Sequence, residues 1–183
     1  RRDIGNLYEH QLGLIYVQEA SSMIPAITLD PKKDEIVLDA AASPGSKTTQ
    51  IAALMENTGM IIANDVAYYR MLALSHNLQR CGVMNAVTTI SDARKIDYQF
   101  DRILLDAPCS GIGTVFGATQ NSFYTIQTYS QQKIKTMAGI QKKLILRCYQ
   151  NLKPMGAMVY STCSLEPEED EEVVQFLIEN TDA

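Results

Sequence analysis

Two of the four cysteines in this 183-residue chain stand where a thiol is placed to do chemistry. Cys109 follows Pro108 at the end of the apolar, strand-like run LLDAP, and Cys163 ends a second such run, MVYST, in the same way. A thiolate is a strong nucleophile. Two thiols on neighbouring strand ends permit one to add to an electron-poor carbon while the other assists its release. Both lie in polar, turn-forming sequence. Pro108 stiffens the backbone before Cys109, and Gly111 and Gly113 leave room for a planar ring to come close. Cys81 and Cys148 fall within helical runs and read as small buried hydrophobes. There is no CxxC pair, and the only histidines are His10 and His76, so no zinc site, other metal or disulfide framework is expected.

The run VLDAAASPGSKTTQIAALM leaves a strand, turns at Pro44 and Gly45 and enters a helix whose free amides form an anion site. It is not a P-loop, which needs a glycine separated by four residues from a Gly-Lys pair; here Ser46 precedes Lys47 and alanines stand upstream. Such a helix start suits a small anion, for instance an amino acid carboxylate. Lys47 reads either as a surface charge or as a group at the mouth of this site that lowers a thiol's pKa or orients a substrate. Asp65 ends the second strand 20 residues after Gly45, the separation at which an acid commonly accepts ribose hydroxyls. Asp92 follows the third strand, within reach of an adenine amine. Each acid alone is an ordinary turn residue. Together with the loop, at three consecutive strand exits, they fit a nucleoside joined to an amino acid: S-adenosyl-L-methionine.

With such a methyl donor the thiols acquire a purpose. Carbon 5 of cytosine or uracil is a poor nucleophile, and adding a thiolate at carbon 6 turns the ring into an enamine that attacks a methyl group. A base then removes the carbon 5 proton and the thiol is eliminated. The carboxyl of Asp106 is placed to hydrogen-bond the ring nitrogen and exocyclic amine of the adduct. Spacing alone does not order the two thiols.

These residues need a frame that brings strand ends together. Apolar strand-like runs at Ile36–Asp39, Met60–Asp65, Ala86–Ile90, Arg102–Asp106 and Ala157–Ser161 alternate with helical segments at Lys47–Asn57, Tyr68–Cys81, Gln131–Leu152 and Glu168–Glu179. Ser46 and Pro167 read as helix-start signals. Alternation of this kind predicts an α/β fold, a mostly parallel doubly wound sheet with helices on both faces and ligands at the carboxyl ends of its strands. An amphipathic segment, Leu14–Leu29, is expected to pack across the sheet's edge.

As a set, QEASSMIPA, DAAASPGSKTTQ, DAPCSGIGT and STCSLEPEEDEE resemble the Sun and nucleolar-protein (Nol/Nop/Sun) family of RNA 5-methylcytosine methyltransferases over essentially the whole chain. The resemblance implies a class I, Rossmann-like methyltransferase core over 30–183 with a helical segment, 1–29, packed on it. It implies S-adenosyl-L-methionine as donor and tRNA or rRNA as partner. The cofactor loop then falls on Ala41, Ala42, Ser43, Pro44, Gly45, Ser46 and Lys47, with further cofactor contacts from Asp65, Arg70, Asp92 and Asp106. It also orders the thiols: Cys163 matches the nucleophile and Cys109 the cysteine that helps release product. Three departures stand out. VFGATQNSFYTIQ replaces the family's usual basic, Trp-containing stretch, the chain stops after the helix following the fifth of seven expected strands, and the RNA-binding extension often found in the family is absent. With Arg1 rather than Met at its start, the chain reads as a core with its ends removed, truncated on the C-terminal side.

Composition sets the outer limits. The chain has 46% hydrophobic and 20% charged residues, the material of one compact domain, and no apolar run approaches the ~20 residues of a bilayer span. A cytoplasmic protein is expected. The net charge of −5 is local in origin, since eight acids and no base lie between Leu165 and Ala183. Between Ser130 and Lys153 stand six bases, Lys133, Lys135, Lys142, Lys143, Arg147 and Lys153, and no acid. That run reads as a solvated helix face ahead of a phosphate-binding one. The rival to an enzyme is an RNA-binding or assembly module that keeps a cofactor pocket for structural reasons.

Overall fold

The computed structural model describes residues 4–115 and 125–183. Five strands, β1 (Ile36–Asp39), β2 (Met60–Asp65), β3 (Ala86–Ile90), β4 (Phe100–Asp106) and β5 (Leu152–Ser161), form one parallel sheet in the order β3-β2-β1-β4-β5. The helices are α1 (Tyr8–Gln11), α2 (Ala20–Leu29), α3 (Ser46–Leu54), α4 (Tyr68–Arg80), α5 (Gln131–Gln150) and α6 (Glu171–Asn180). The strand order runs one way from β1 to β3 and the other way from β4 to β5. The carboxyl ends of β1 and β4 therefore flank the topological switch point, where an open α/β sheet leaves a crevice.

The central strands are apolar on both faces because helices cover both. Val37 and Leu104 pack against Ile51, Ala52 and Met55 of α3 and Ala26 and Leu29 of α2. Their neighbours Leu38, Ile103 and Leu105 point the other way, onto Leu144, Ile145 and Cys148 of α5 and Val173 and Leu177 of α6. Met71, Leu74 and Leu78 of α4 close over Ala63. Each such fully buried aliphatic side chain contributes roughly 2 kcal/mol. The α2 helix lies beside α3 over β4 and the edge strand β5, with Ala26 and Leu29 in the core.

Two element starts differ from the sequence reading by three residues or more. β5 begins at Leu152 rather than Ala157, since Pro154 and Gly156, ordinary turn signals, sit in a register shift that interrupts the ladder to β4 between Leu152 and Ala157. Met155 takes a positive φ of 66° there, and a Cβ on Gly156 would lie 2.8 Å from Asp101 O. α6 begins at Glu171 rather than Glu168, for a reason that lies in the site itself. Among the described residues no helix is long and apolar enough to cross a membrane.

Candidate active site

β4 and β5 are paired through Asp106 and Ser161, and the ladder continues one step beyond them as Ala107 N donates to Ser161 O. Register thus carries the two cysteines to one point although 54 residues separate them. The sulfurs of Cys109 and Cys163 lie 2.6 Å apart, and Cys163 N donates to Cys109 Sγ at 3.3 Å. Cys163 is the more exposed of the two, so its charged form loses less hydration. The hydrogen bond from Cys109 holds the Cys163 thiol below its ordinary range. The same bond, with burial added, pushes the Cys109 thiol well above it. Cys148, by contrast, is buried and pushed up to about 12 by that burial.

Gly113 serves the pairing of the two cysteine loops. Gly113 N donates to Cys163 O at 3.0 Å, and a Cβ at Gly113 would lie 2.8 Å from that oxygen. Close approach here is backbone to backbone, which corrects the reading that Gly113 makes room for a planar ring. Gly111 takes a φ of 78°, open chiefly to glycine, and faces Cys163 Sγ.

Asp106 is held at both oxygens. Ser161 Oγ donates to Oδ1 at 2.8 Å and Lys47 Nζ to Oδ2 at 2.7 Å. Lys47 also donates to Ser22 Oγ at 3.0 Å, which explains why the QEASS stretch belongs to the site. Lys47 therefore sits on the carboxylate and on α2, not on either thiol, and the pKa of Cys163 owes its lowering to Cys109.

The loop Ala41–Lys47 turns through a cis Ser43–Pro44 bond and Gly45, whose φ of 104° caps α3; the helix opens at Ser46 itself, so Gly45 rather than Ser46 is its start. Ser43 is clamped from β2 and α4. Its amide donates to Asp65 Oδ2, its hydroxyl to Arg70 O, and Arg70 Nη2 donates to Ser43 O at 2.8 Å. Asp65 also accepts the Ala67 amide at 3.2 Å. Ala41, Ser43, Asp65, Arg70, Asp92, Asp106, Cys109 and Cys163 all border one cleft of about 430 Å³. A hollow of about 220 Å³, bordered by Ala42, Pro44, Ser46 and Lys47, shares Ala41, Ser43 and Asp106 as walls with that cleft.

The sequence reading missed several of these neighbours. Asp39 ends β1 against the smaller hollow; Thr48 Oγ1 donates to its Oδ2 at 2.7 Å, while Oδ1 is buried without a partner. Burial raises its pKa to about 7. An acid closing a buried strand just before the loop was the available signal. Arg94 grips Asp92, donating from Nε and Nη2, and holds that carboxyl down at about 2. Asp92 thus borders the cleft with Arg94 already bound to both its oxygens. Ile140 and Leu144 of α5 supply an apolar wall to the cleft. The most consequential omission is Glu169, fully buried beneath the cysteine loops.

The basic run does not form one phosphate-facing patch. Arg147 pairs with Asp97 at 2.9 Å, Lys153 with Asp101 at 2.8 Å, Lys142 lies over the Phe176 ring, and Lys133 donates to Thr128 Oγ1. Most of the VFGATQNSFYTIQ stretch lies outside the described residues.

The chain that forms this cleft at the switch point is similar in sequence and fold to known proteins. The family model described as 16S rRNA methyltransferase RsmB/F matches residues 26–183. The chain is 50% identical over 182 residues to the tRNA (cytosine(49)-C(5))-methyltransferase of Pyrococcus abyssi, covering 98% of this chain and 57% of that protein. It is 48% identical over 180 residues to ribosomal RNA small subunit methyltransferase F of Vibrio vulnificus, covering 95% of this chain and 37% of that one. NSun6 from Pyrococcus horikoshii, solved with SFG, superposes with a TM-score of 0.89 at 36% identity over 97% of this chain and 45% of its own. The chain thus spans between about a third and three fifths of these relatives' length. Sequence and fold agree, and the chain belongs to the RsmB/F family of methyltransferases.

Proposed function

We propose that this chain carries the catalytic core of an RNA cytosine-5 methyltransferase acting on tRNA or rRNA, with Cys163 as nucleophile and S-adenosyl-L-methionine as donor. The observation that carries the reading is the contact of two sulfurs, 2.6 Å apart, on the border of a cleft lined by Asp65, Arg70 and Asp92. The named activities of the relatives, and the S-adenosylmethionine analogue SFG in one of them, support it.

The residues present fit the donor. The larger hollow suits a nucleoside, with Asp65 for the ribose and Asp92 for the adenine amine. The smaller one, at the amino end of α3, suits an amino acid, and the unpartnered oxygen of Asp39 is an acceptor for its ammonium. When bound, the cofactor supplies the methyl group for carbon 5.

The chain's own groups do the rest. Cys163 adds as thiolate to carbon 6, with Asp106 facing the polar edge of the ring. Once Cys163 is a thioether, the neighbouring charge that kept Cys109 protonated is gone, and Cys109 loses its proton to solvent. The Cys109 thiolate takes the carbon 5 proton after methylation, the 5,6 double bond re-forms, and Cys163 leaves with the electron pair of the carbon–sulfur bond. The base must leave its stack to reach the thiols. Bisulfite sequencing of tRNA and rRNA incubated with the chain and S-adenosyl-L-methionine tests the reading. New protected cytosines that vanish in Cys163→Ala are expected, and their absence in both RNA classes counts against it.

A further inference from the structure

Glu169 is a fully buried carboxylate with both oxygens hydrogen-bonded, and it borders neither hollow of the site. Its Oε1 accepts Ser110 N at 2.8 Å and Gln141 Nε2 at 3.0 Å, and its Oε2 accepts Ser164 Oγ at 2.7 Å. Ser110 directly follows Cys109 and Ser164 directly follows Cys163. Gln141, reaching from the middle of α5, also donates to Pro108 O at 2.8 Å, the residue before Cys109. The two serine hydroxyls meet at 3.2 Å. One buried carboxylate therefore ties together, at a single point, the backbone on both sides of the sulfur pair.

Holding this position has a local consequence. The turn over Pro167–Asp170 is non-helical, and Asp170 sits at φ −116°, ψ −90°, while Thr162 Oγ1 donates to its carboxylate at 2.6 Å. That is why α6 starts three residues later than its acidic sequence suggests. Glu169 is turned inward as the clamp and Asp170 is turned back to Thr162.

We infer that Glu169 is a positioning residue that sets the contact between Cys109 and Cys163 by clamping both cysteine loops from beneath. The inference rests on the proposed roles of the two cysteines as the reacting pair. Charge-assisted hydrogen bonds in a buried setting are short and strong, which suits a clamp. The sign of the effect separates position from charge. As a buried negative charge, Glu169 opposes ionisation of Cys163, so removing its charge alone makes Cys163 more reactive. Loosening the contact with Cys109 removes the hydrogen bond that favours the thiolate and makes Cys163 less reactive.

The test is the pH dependence of iodoacetamide alkylation at Cys163, read by peptide mass spectrometry on the full chain without RNA or cofactor. Glu169→Ala is expected to slow alkylation near neutral pH by roughly tenfold, the effect of a one-unit rise in thiol pKa. Glu169→Gln, which keeps the acceptor for Ser110 and Gln141 and loses only the charge, is expected to alkylate no more slowly than the wild type and up to several-fold faster. Faster alkylation or an unchanged profile in a folded Glu169→Ala chain overturns the inference. Where thermal melting shows that this variant does not fold, Ser164→Ala, which removes only one arm of the clamp, decides. A slower profile supports the inference, and an unchanged one overturns it. Because the readout needs no turnover, a slowed Glu169→Ala with no methyl transfer by the wild type refutes the proposed function alone. Methyl transfer with an unmoved profile refutes the clamp alone.

Discussion

Lys47 Nζ lies 2.7 Å from Asp106 Oδ2, so the cation at the start of α3 and the carboxylate at the end of β4 form one unit across the switch point. The lysine side chain is 13% exposed and the carboxylate 33%. With Ser161 as a second donor, and Ser22 accepting from the same lysine, Asp106 is aimed rather than free. The pair joins the cofactor loop to the cysteine loops, and a change on one side is felt on the other.

Lys47→Met is expected to lower methyl transfer at least tenfold by releasing the Asp106 carboxylate from its orientation. Removing one partner of a half-buried pair costs about 1–3 kcal/mol, below the cost of breaking a fully buried one because solvent still reaches Asp106. Urea unfolding beside an activity assay checks both parts, and a stable variant with unchanged activity contradicts the role.

The two-thiol scheme separates the cysteines by phenotype. Cys109→Ala blocks release and is expected to accumulate a covalent RNA adduct; Cys163→Ala is expected to form none. A retarded band on a denaturing gel reads the difference directly. The reverse pattern exchanges the two roles.

Asp39 makes stability depend on pH. Burial raises its pKa from 3.8 to about 7, so between those values the folded chain holds a proton that the unfolded chain has released. Its stabilising neutral form is fully present below about pH 4, and that contribution is lost as pH rises through about 7. Three units correspond to about 4 kcal/mol. Asp39→Asn, which cannot ionise, is expected to flatten the unfolding free energy between about pH 5 and pH 8. Parallel curves for the two chains would show that Asp39 is not the group.

Two glycines offer opposite outcomes for the same substitution. Gly113→Ala drives a Cβ to 2.8 Å from Cys163 O, so roughly 1–3 kcal/mol of stability and most of the activity are expected to go as the cysteine loops separate. Gly139, inside α5, has nothing within 4 Å of its would-be Cβ. Gly139→Ala is expected to stabilise the chain by about 0.5–1 kcal/mol with activity unchanged. Thermal melting of both variants, with one methyl transfer assay, is sufficient.

Residue order by itself determined the parallel α/β frame, since the alternation of short apolar runs with helical segments allows little else, and it placed Cys109, Cys163, Asp65, Asp92 and Asp106 at strand exits. Such information is local: it lies in periodicity, in turn residues and in the type of side chain that follows a strand. What only the tertiary structure decided depends on which atoms meet across the chain. Lys47 belongs to Asp106 and Ser22 rather than to a thiol, Arg94 occupies Asp92, and Gly113 accommodates the Cys163 carbonyl. Glu169 sits in an acidic run whose sequence shows only local charge, and its burial follows from three donors contributed by the two cysteine loops and α5. Hydrogen-bond partnership of that kind is set by register and packing, and neither leaves a periodic trace in the order of residues.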